Sequence, residues 1–508
     1  MMVSNTENNK TIAKNTFYLY LRLIVSMLIG LYTSRAILEA LGVEDYGIYN
    51  IVAGFVSMLS LFTGAITSAA QRFITYELGT GNVYKLRRTF STFTTLLIIF
   101  SLIIIALSFV SGKWLVTEVL NIPVDRISAA INVFYCSSIA FCVNVIAAPY
   151  IACVTAHERM NFYALVSVGD SLLRLLIVLL LYITPFDHLE TYAILIVIVG
   201  IISRLIYGLY CKKHFEETKF KFLIDTNILK EIWSFSLWVI FGGSAMIAKE
   251  QGVNMLINRF FGVTMNAARG VSMQVFSILN QFSNSIATAI NPQITKSYAA
   301  GNLLRAIRLT FVSTKAQGVM LLLISLPLYI EIDYVLGIWL KNVPYYASDF
   351  ARWVIIICFV STMRQTYGPL YLATGKVRFL EIVGGFIILL NLPISYVVLK
   401  MGGQPVSTMV VNVLLEIVCM FACFGYMKKL LDFPTFRFYK NVIVPIIITM
   451  LITYFAASFI KEFFSESFIR LVIICIVSTI TTSVFSYFLI FEKSERDLLK
   501  SMIIKKIV

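Results

Sequence analysis

Charged residues are scarce in this chain: Asp, Glu, Lys and Arg make up 14% of 508 residues, while 59% are hydrophobic and the mean hydropathy is +0.84. No soluble core needs so much apolar sequence, and the composition is that of a polytopic membrane protein. Histidine is rarer still. His157, His188 and His214 are the full set, and no two share metal-ligand spacing. Cysteine offers no alternative framework: Cys136, Cys142, Cys153, Cys358, Cys419, Cys423 and Cys475 sit inside apolar runs and Cys211 in a basic loop. A nucleotide-binding loop, a Ser/His/Asp set in the soluble segments and an external loop long enough for glycosyl transfer are all missing. No catalytic residue, metal or cofactor is therefore expected, and any energy source is ionic or absent. The opening residues, roughly fifteen, are polar and lead into an apolar run without a small-residue cleavage site, which reads as a retained first span rather than a signal peptide.

What the chain has in abundance is apolar segments long enough to cross the hydrocarbon as helices. They recur about fourteen times, at 16–38, 47–70, 90–110, 128–152, 162–182, 190–210, 233–258, 265–291, 309–330, 350–372, 379–399, 405–427, 441–460 and 468–491. The formal charge of +15 does not point to nucleic acid, because its placement follows the membrane. With a cytoplasmic N-terminus, the tails and even-numbered loops hold about 26 Lys and Arg against about 8 in the opposite loops. Arg72, Lys85, Arg87 and Arg88 lie in one cytoplasmic loop, and Lys212, Lys213, Lys219, Lys221 and Lys230 in another, which also suits anionic headgroups. Both termini are expected to be cytoplasmic.

The chain also repeats itself. Gly42 to Asn82 aligns without a gap on Gly262 to Asn302, pairing Gly42/Gly262, Val43/Val263, Ser57/Ser277, Leu59/Leu279, Phe62/Phe282, Ile66/Ile286, Ala69/Ala289, Ile74/Ile294, Gly81/Gly301 and Asn82/Asn302. Pro149 and Pro369 keep the same offset. Since an even number of spans separates the copies, the repeat is parallel, which predicts a substrate site between two halves. The domains read as 1–215 and 216–430, each a six-helix lobe, with 431–508 supplying two extra spans and a tail. In the later copy Gly270, Gln274, Ser277, Gln281, Asn284, Thr288 and Asn291 fall on one helix face. The earlier copy reads Asn50, Gly54, Ser57, Leu61, Gly64, Ser68 and Gln71 in the same register. Such stripes serve as helix packing seams or as water-facing walls. The amide-rich one favours a cavity lined by Gln274, Ser277, Gln281, Asn284 and Thr288, because so many buried amides are hard to satisfy without water.

Ionisable residues deep in spans are functional candidates by default. The basic ones are Arg22, Arg174, Arg204, Lys249, Arg269, Lys315, Arg352 and Arg364; against them stand Asp170, Glu250 and Glu416, with Glu381 at a helix start. That balance is cationic and would attract an anion, with phosphate the natural class for guanidinium groups. Asp170 and Arg174, four apart, suit a local ion pair. Arg204 and Arg352 suit snorkelling to the headgroups, and Lys315 does so equally with a buried role. Arg22, Lys249, Arg269 and Arg364 remain as the candidate anion-binding residues. Glu250 continues into Asn254 and Asn258 on one face, suiting either a pairing with a cavity arginine or a coupling cation. Adjacent residues on a helix point apart, so Lys249 and Glu250 need not neutralise one another.

Together with Asn15-Thr16, Arg35 in SRAILEALGVEDYGIYNIV, SAAQRFITYELGTGN, INPQITKSYAAGN, Pro149 and Pro369, the six-plus-six-plus-two pattern resembles the multidrug/oligosaccharidyl-lipid/polysaccharide exporter superfamily, and within it the polysaccharide-type, Wzx-like flippases. The resemblance spans essentially the whole chain. It implies an all-α, MATE-like membrane fold of about fourteen helices working by alternating access. The implied cargo is an undecaprenyl-pyrophosphate-linked oligosaccharide repeat unit, moved to the outer leaflet of the bacterial cytoplasmic membrane for O-antigen or capsule synthesis. Arg22, Lys249, Arg269 and Arg364 would then hold the pyrophosphate. Glu250, Asp170 and Glu416 are the candidates for coupling to H+ or Na+, and the partners expected are membrane lipids and a polysaccharide polymerase. A lipid-linked peptidoglycan precursor flippase is the nearest alternative; a MATE-type drug exporter, which handles organic cations, and a membrane polysaccharide polymerase stand further off.

Overall fold

The structure is a computed structural model that describes residues 2–57, 60–119, 122–340, 343–493 and 495–497, at some of these, among them 2–13, the backbone alone. Among the described residues there is no strand. The helices are α1 (Met2–Ser57), α2 (Ser60–Thr80), α3 (Val83–Trp114), α4 (Ile127–Ala156), α5 (Met160–Leu181), α6 (His188–His214), α7 (Thr226–Phe261), α8 (Val263–Ala299), α9 (Leu303–Ile330), α10 (Ile332–Trp339), α11 (Ala347–Gln365), α12 (Gly368–Thr374), α13 (Arg378–Leu389), α14 (Asn391–Lys400), α15 (Ser407–Leu431), α16 (Thr435–Phe438), α17 (Val444–Lys461) and α18 (Phe468–Phe485). Ten spans among the described residues are long and apolar enough to cross a membrane. The expected spans outside that set, 16–38, 47–70, 265–291 and 350–372, fall on α1, α1 with α2, α8, and α11 with α12. α8 has length to spare but too many amides, and α11 carries Asp349, Arg352 and Arg364.

Glycine bounds both copies of the repeat. Gly42 (φ 75°), Gly81 (φ 75°), Gly262 (φ 80°) and Gly301 (φ 77°) all adopt a positive φ that L side chains rarely enter. Among the described residues nothing lies within 4 Å of a Cβ built on any of them, and the positive φ itself calls for glycine there. The glycine at 42 breaks α1 into two helices, and that at 262 separates α7 from α8. Elsewhere helices start on side-chain caps: Asn82 accepts from the Lys85 N–H, Asp187 from Glu190 and Ser467 from Arg470. Proline at the second position of α12 follows the break after α11.

The chain forms two compact units. The first comprises 1–240 and 291–302. Its core joins Ile48, Val52, Leu115, Val133, Phe134 and Leu189, and a further cluster joins Ile74, Phe90, Tyr150, Cys153 and Cys211. The extended stretch before α7 is hung on α3, where the backbone N–H groups of Lys221, Leu223 and Asp225 donate to the hydroxyls of Ser91, Thr95 and Thr92. The second unit comprises 241–290 and 303–508, with a core of Val253, Ile257, Leu336, Phe350, Val354 and Met409. In it α17 and α18 pack on α9 through Ile330, Ala457 and Ile474. Glu331, fully buried, accepts from Arg470 at 2.7 Å, and Lys461 donates to the Ile330 carbonyl. Outward-facing Leu165, Leu205, Phe455 and Ile480 are exposed, as expected where the surroundings are lipid.

Candidate functional site

In the second unit α7 and α8 bring two buried cations onto one carboxylate. Lys249 Nζ lies 3.0 Å from Glu250 Oε1, and Arg269 Nη2 donates to Glu250 Oε2 at 2.5 Å. The Lys249 and Arg269 side chains are 3% and 5% exposed, whereas Glu250 is 26% exposed. Two neutral oxygens complete the cluster: Asn412 Oδ1 on α15 accepts from Lys249 at 3.3 Å, and Asn254 Oδ1 accepts from Arg269 Nη1. Arg269 Nε is buried and has no acceptor among the described residues. The expectation that neighbouring Lys249 and Glu250 need not neutralise one another is corrected here. A lysine stem is long enough to curl back around the helix, so divergent Cβ directions do not keep its ammonium from the adjacent carboxylate. Asn254 and Asn412 complete the set; Asn254 is legible from its place on the Glu250 face, while Asn412 has no local signal.

The other candidates are distributed differently. Arg364 on α11 is paired with Glu416 on α15 through Nε–Oε2 at 2.6 Å, the glutamate buried and the arginine 11% exposed. Arg22, in the first unit, stacks its guanidinium over the Tyr163 ring at 5.0 Å, and its buried Nε has no acceptor among the described residues. Asp170 and Arg174 form the local pair, at 2.8 Å, and Ser203 donates to the same aspartate. Arg204 lies over Tyr150, 3.8 Å from the ring centroid, and Arg352 pairs with Asp333 and Asp349. Lys315 does not reach for headgroups: it is 1% exposed and pairs with Glu495 at 2.9 Å and Glu492 at 3.4 Å, beyond α18. Most of these cations are therefore matched by carboxylates; the surplus of the second unit lies at Lys249 and Arg269, and in the first unit Arg22 and Arg204 rest on aromatic rings.

On α8 the polar face is open. Gly270, Gln274, Ser277, Gln281 and Asn284 are exposed and Thr288 and Asn291 half-buried, whereas Leu279, Ser283, Ile286 and Ala289 on the opposite side are buried. Of the earlier stripe, the side chains of Asn50, Gly54, Ser57 and Leu61 lie outside the described residues; Gly64 is exposed and Ser68 and Gln71 are half-buried. An apolar pocket lined by Tyr49, Val56, Ser137, Phe141 and Ile196 in the first unit has no charged side chain and offers nothing to an anion. Among the described residues no three His, Cys, Asp or Glu side chains could hold a metal.

A chain of long apolar helices with buried, paired charges has the form of a multi-pass membrane transporter. Solved structures agree on the fold: one described as a MATE crystal structure in the straight conformation superposes with a TM-score of 0.72 at 13% identity, covering 84% of this chain and 96% of that one. A MOP superfamily transporter from Pyrococcus furiosus, described as having a binding pocket of reverse polarity that suggests a different function, gives 0.65 at 14% identity, covering 83% and 96%. The family model for polysaccharide biosynthesis proteins matches residues 12–298, more than half of the chain, and the MatE model matches residues 250–397. The chain thus belongs to the polysaccharide biosynthesis protein family, the polysaccharide branch of the MOP superfamily. It is 18% identical over 301 residues to the uncharacterized membrane protein EpsK of Bacillus subtilis (strain 168), and the match spans 59% of each chain.

Proposed function

We infer that this transporter flips an undecaprenyl-pyrophosphate-linked oligosaccharide repeat unit across the bacterial cytoplasmic membrane, both of its termini being cytoplasmic, by alternating access of lobes 1–215 and 216–430 with 431–508 appended. The observation that carries the reading is the buried cation surplus of Lys249 and Arg269 on Glu250. A diphosphate cannot enter hydrocarbon uncompensated, and guanidinium and ammonium groups with spare donors are what offset its desolvation. The exposed amides of α8, Gln274, Gln281 and Asn284, supply neutral contacts along which headgroup and sugar slide without being trapped. Arg22, whose buried Nε has no acceptor among the described residues, is the candidate phosphate contact of the first unit. Arg364, already neutralised by Glu416, holds α11 to α15 and bears on the anion only when that pair opens. An organic-cation cargo meets the wrong sign at Lys249 and Arg269, which sets the drug-exporter reading behind this one. A lipid-linked peptidoglycan precursor flippase would use the same charge logic.

The test is flipping of a pyrophosphate-linked glycolipid by purified protein in vesicles. Lys249→Ala and Arg269→Ala are expected to abolish it with folded protein still present, and Arg204→Ala to leave it largely intact. Full activity in both cluster variants would overturn the reading.

A further inference from the structure

We propose that Glu250 is an exchangeable internal anion: its carboxylate occupies the seat that Lys249 and Arg269 offer, and a diphosphate ligand binds by displacing it. This rests on the flippase reading above and adds how the site stays poised when unloaded. Three observations carry it. The first is charge balance. Elsewhere in the same unit, among the described residues, the paired cations are matched or outnumbered whether buried or not: Lys315 by Glu492 and Glu495, Arg364 by Glu416, Arg470 with the half-exposed Lys461 by Glu331 and Glu466, and the half-exposed Arg352 by Asp333 and Asp349. Here two cations share a single carboxylate. A purely structural triad of this kind leaves a buried positive charge uncompensated, which is costly.

The second is hydrogen-bond capacity. The Lys249 ammonium has three donors, and Glu250 and Asn412 take two. Arg269 spends Nη2 on Glu250 and Nη1 on Asn254 and leaves Nε buried without an acceptor among the described residues. A carboxylate has only two oxygens to divide between these groups. A diphosphate brings more oxygens and more charge, and can satisfy both cations and the orphaned Nε together. The third is accessibility. Glu250 is the partly exposed member, and the cations lie buried beneath it, so a ligand reaches them where the carboxylate now sits. Glu250 is a positioning residue on this account: it pairs with the two cations between cargoes and competes with the cargo for them.

The experiment is titration calorimetry on the full chain in phosphatidylcholine nanodiscs, with inorganic pyrophosphate and farnesyl diphosphate as probes and thermal unfolding measured alongside. Glu250→Gln is expected to bind both probes at least tenfold more tightly than the parent, and to gain more thermal stability from pyrophosphate than the parent does. Lys249→Gln and Arg269→Gln are expected to lose binding. Tightening for farnesyl diphosphate alone would assign the seat to a lipid headgroup; equal tightening for both probes would assign it to the diphosphate itself, and either supports the exchange. Unchanged affinity in Glu250→Gln, with binding still lost in the two cation variants, would overturn the exchange and leave the anion seat standing. No binding by any of the proteins would overturn the seat and the flippase reading together. Should Glu250→Gln not fold, Glu250→Asp keeps the charge and retracts the carboxylate by one methylene; at least threefold tighter binding is then expected, and an unchanged affinity overturns the exchange.

Discussion

Gly79 and Ala299 hold the same position in the two copies of the repeat, and they touch. A Cβ placed on Gly79 would come within 2.8 Å of the Ala299 Cβ and 2.8 Å of the Lys296 Cα. Real Cβ atoms do not approach that closely, so glycine here lets the end of α2 meet the last turns of α8, all within the first unit. Alongside, Glu158 accepts from Gln293 at 2.7 Å and pairs with Lys296 at 2.9 Å.

That contact is expected to be cross-linkable. With the native cysteines removed, the pair Gly79→Cys and Ala299→Cys needs a shift of under about 1 Å to reach disulfide geometry. Mild oxidation should close the bridge, read as a mobility change after cleavage at an inserted protease site between the two positions. Gly79→Leu should instead force the helices apart and lower the unfolding temperature.

The repeat glycines are expected to be individually irreplaceable for a reason of conformation. Gly262→Ala and Gly301→Ala should each cost about 1–2 kcal/mol, because alanine must enter the left-handed region. Gly270→Ala, on the open face of α8 with no neighbour within 4 Å among the described residues and no positive φ, should be neutral or slightly stabilising. Unfolding temperatures in one detergent check the contrast.

Hydrophilic thiol reagents should report the face of α8. Cysteines at Gln274, Gln281 and Asn284 are expected to react from water, and those at Leu279 and Ile286, which are buried, to be protected. Labelling of the first three by lipid-soluble reagents alone would show that the amides face hydrocarbon.

Acid should loosen the loop before α6. Asp187 is partly buried, which by itself raises its carboxyl, but the bond from Arg126 and the N–H groups of Glu190 and Leu189 outweigh this and hold it below its ordinary value of 3.8. A lowered carboxylate contributes stability that is complete above the unfolded value and is lost as pH falls through the folded one. The parent should thus lose stability below about pH 4 more steeply than Asp187→Asn does, in unfolding temperatures measured between pH 3 and 6.

The tail partners of Lys315 should matter to α9. Glu495→Gln is expected to cost about 1–3 kcal/mol by leaving a buried ammonium short of its partner, and Lys315→Met in the same background to restore most of it. Calorimetric or fluorescence unfolding of the single and double variants measures the coupling.

Much of the helical plan is legible because apolar length is a one-dimensional property: Val83–Glu118, Val124–Ala156 and Phe468–Ile490 fall where hydropathy alone puts them. The repeat is legible too, since Gly42 and Gly262 mark a backbone conformation that only glycine tolerates well. Charge pairing is not. Arg364 finds Glu416 and Lys249 finds Asn412 across helix contacts that no local spacing encodes, so a tally of intramembrane residues overstates the free positive charge. Asp170 with Arg174 is the instructive exception, being a same-helix pair at readable spacing.

Lys315 and Glu495 stand 180 residues apart in the chain. A ribosome adding about 5–20 residues per second needs roughly 10–40 s to cover that distance. Throughout that interval α9 exists with a lysine whose carboxylate partners have not yet been made. Insertion of α9 therefore precedes its own charge compensation, and the nascent helix must keep Lys315 against water, a lipid phosphate or the insertion machinery until the segment beyond α18 emerges. A chain stopped short of Glu492 would carry its defect not at the break but in the middle of the second unit, where quality control would meet a stranded ammonium.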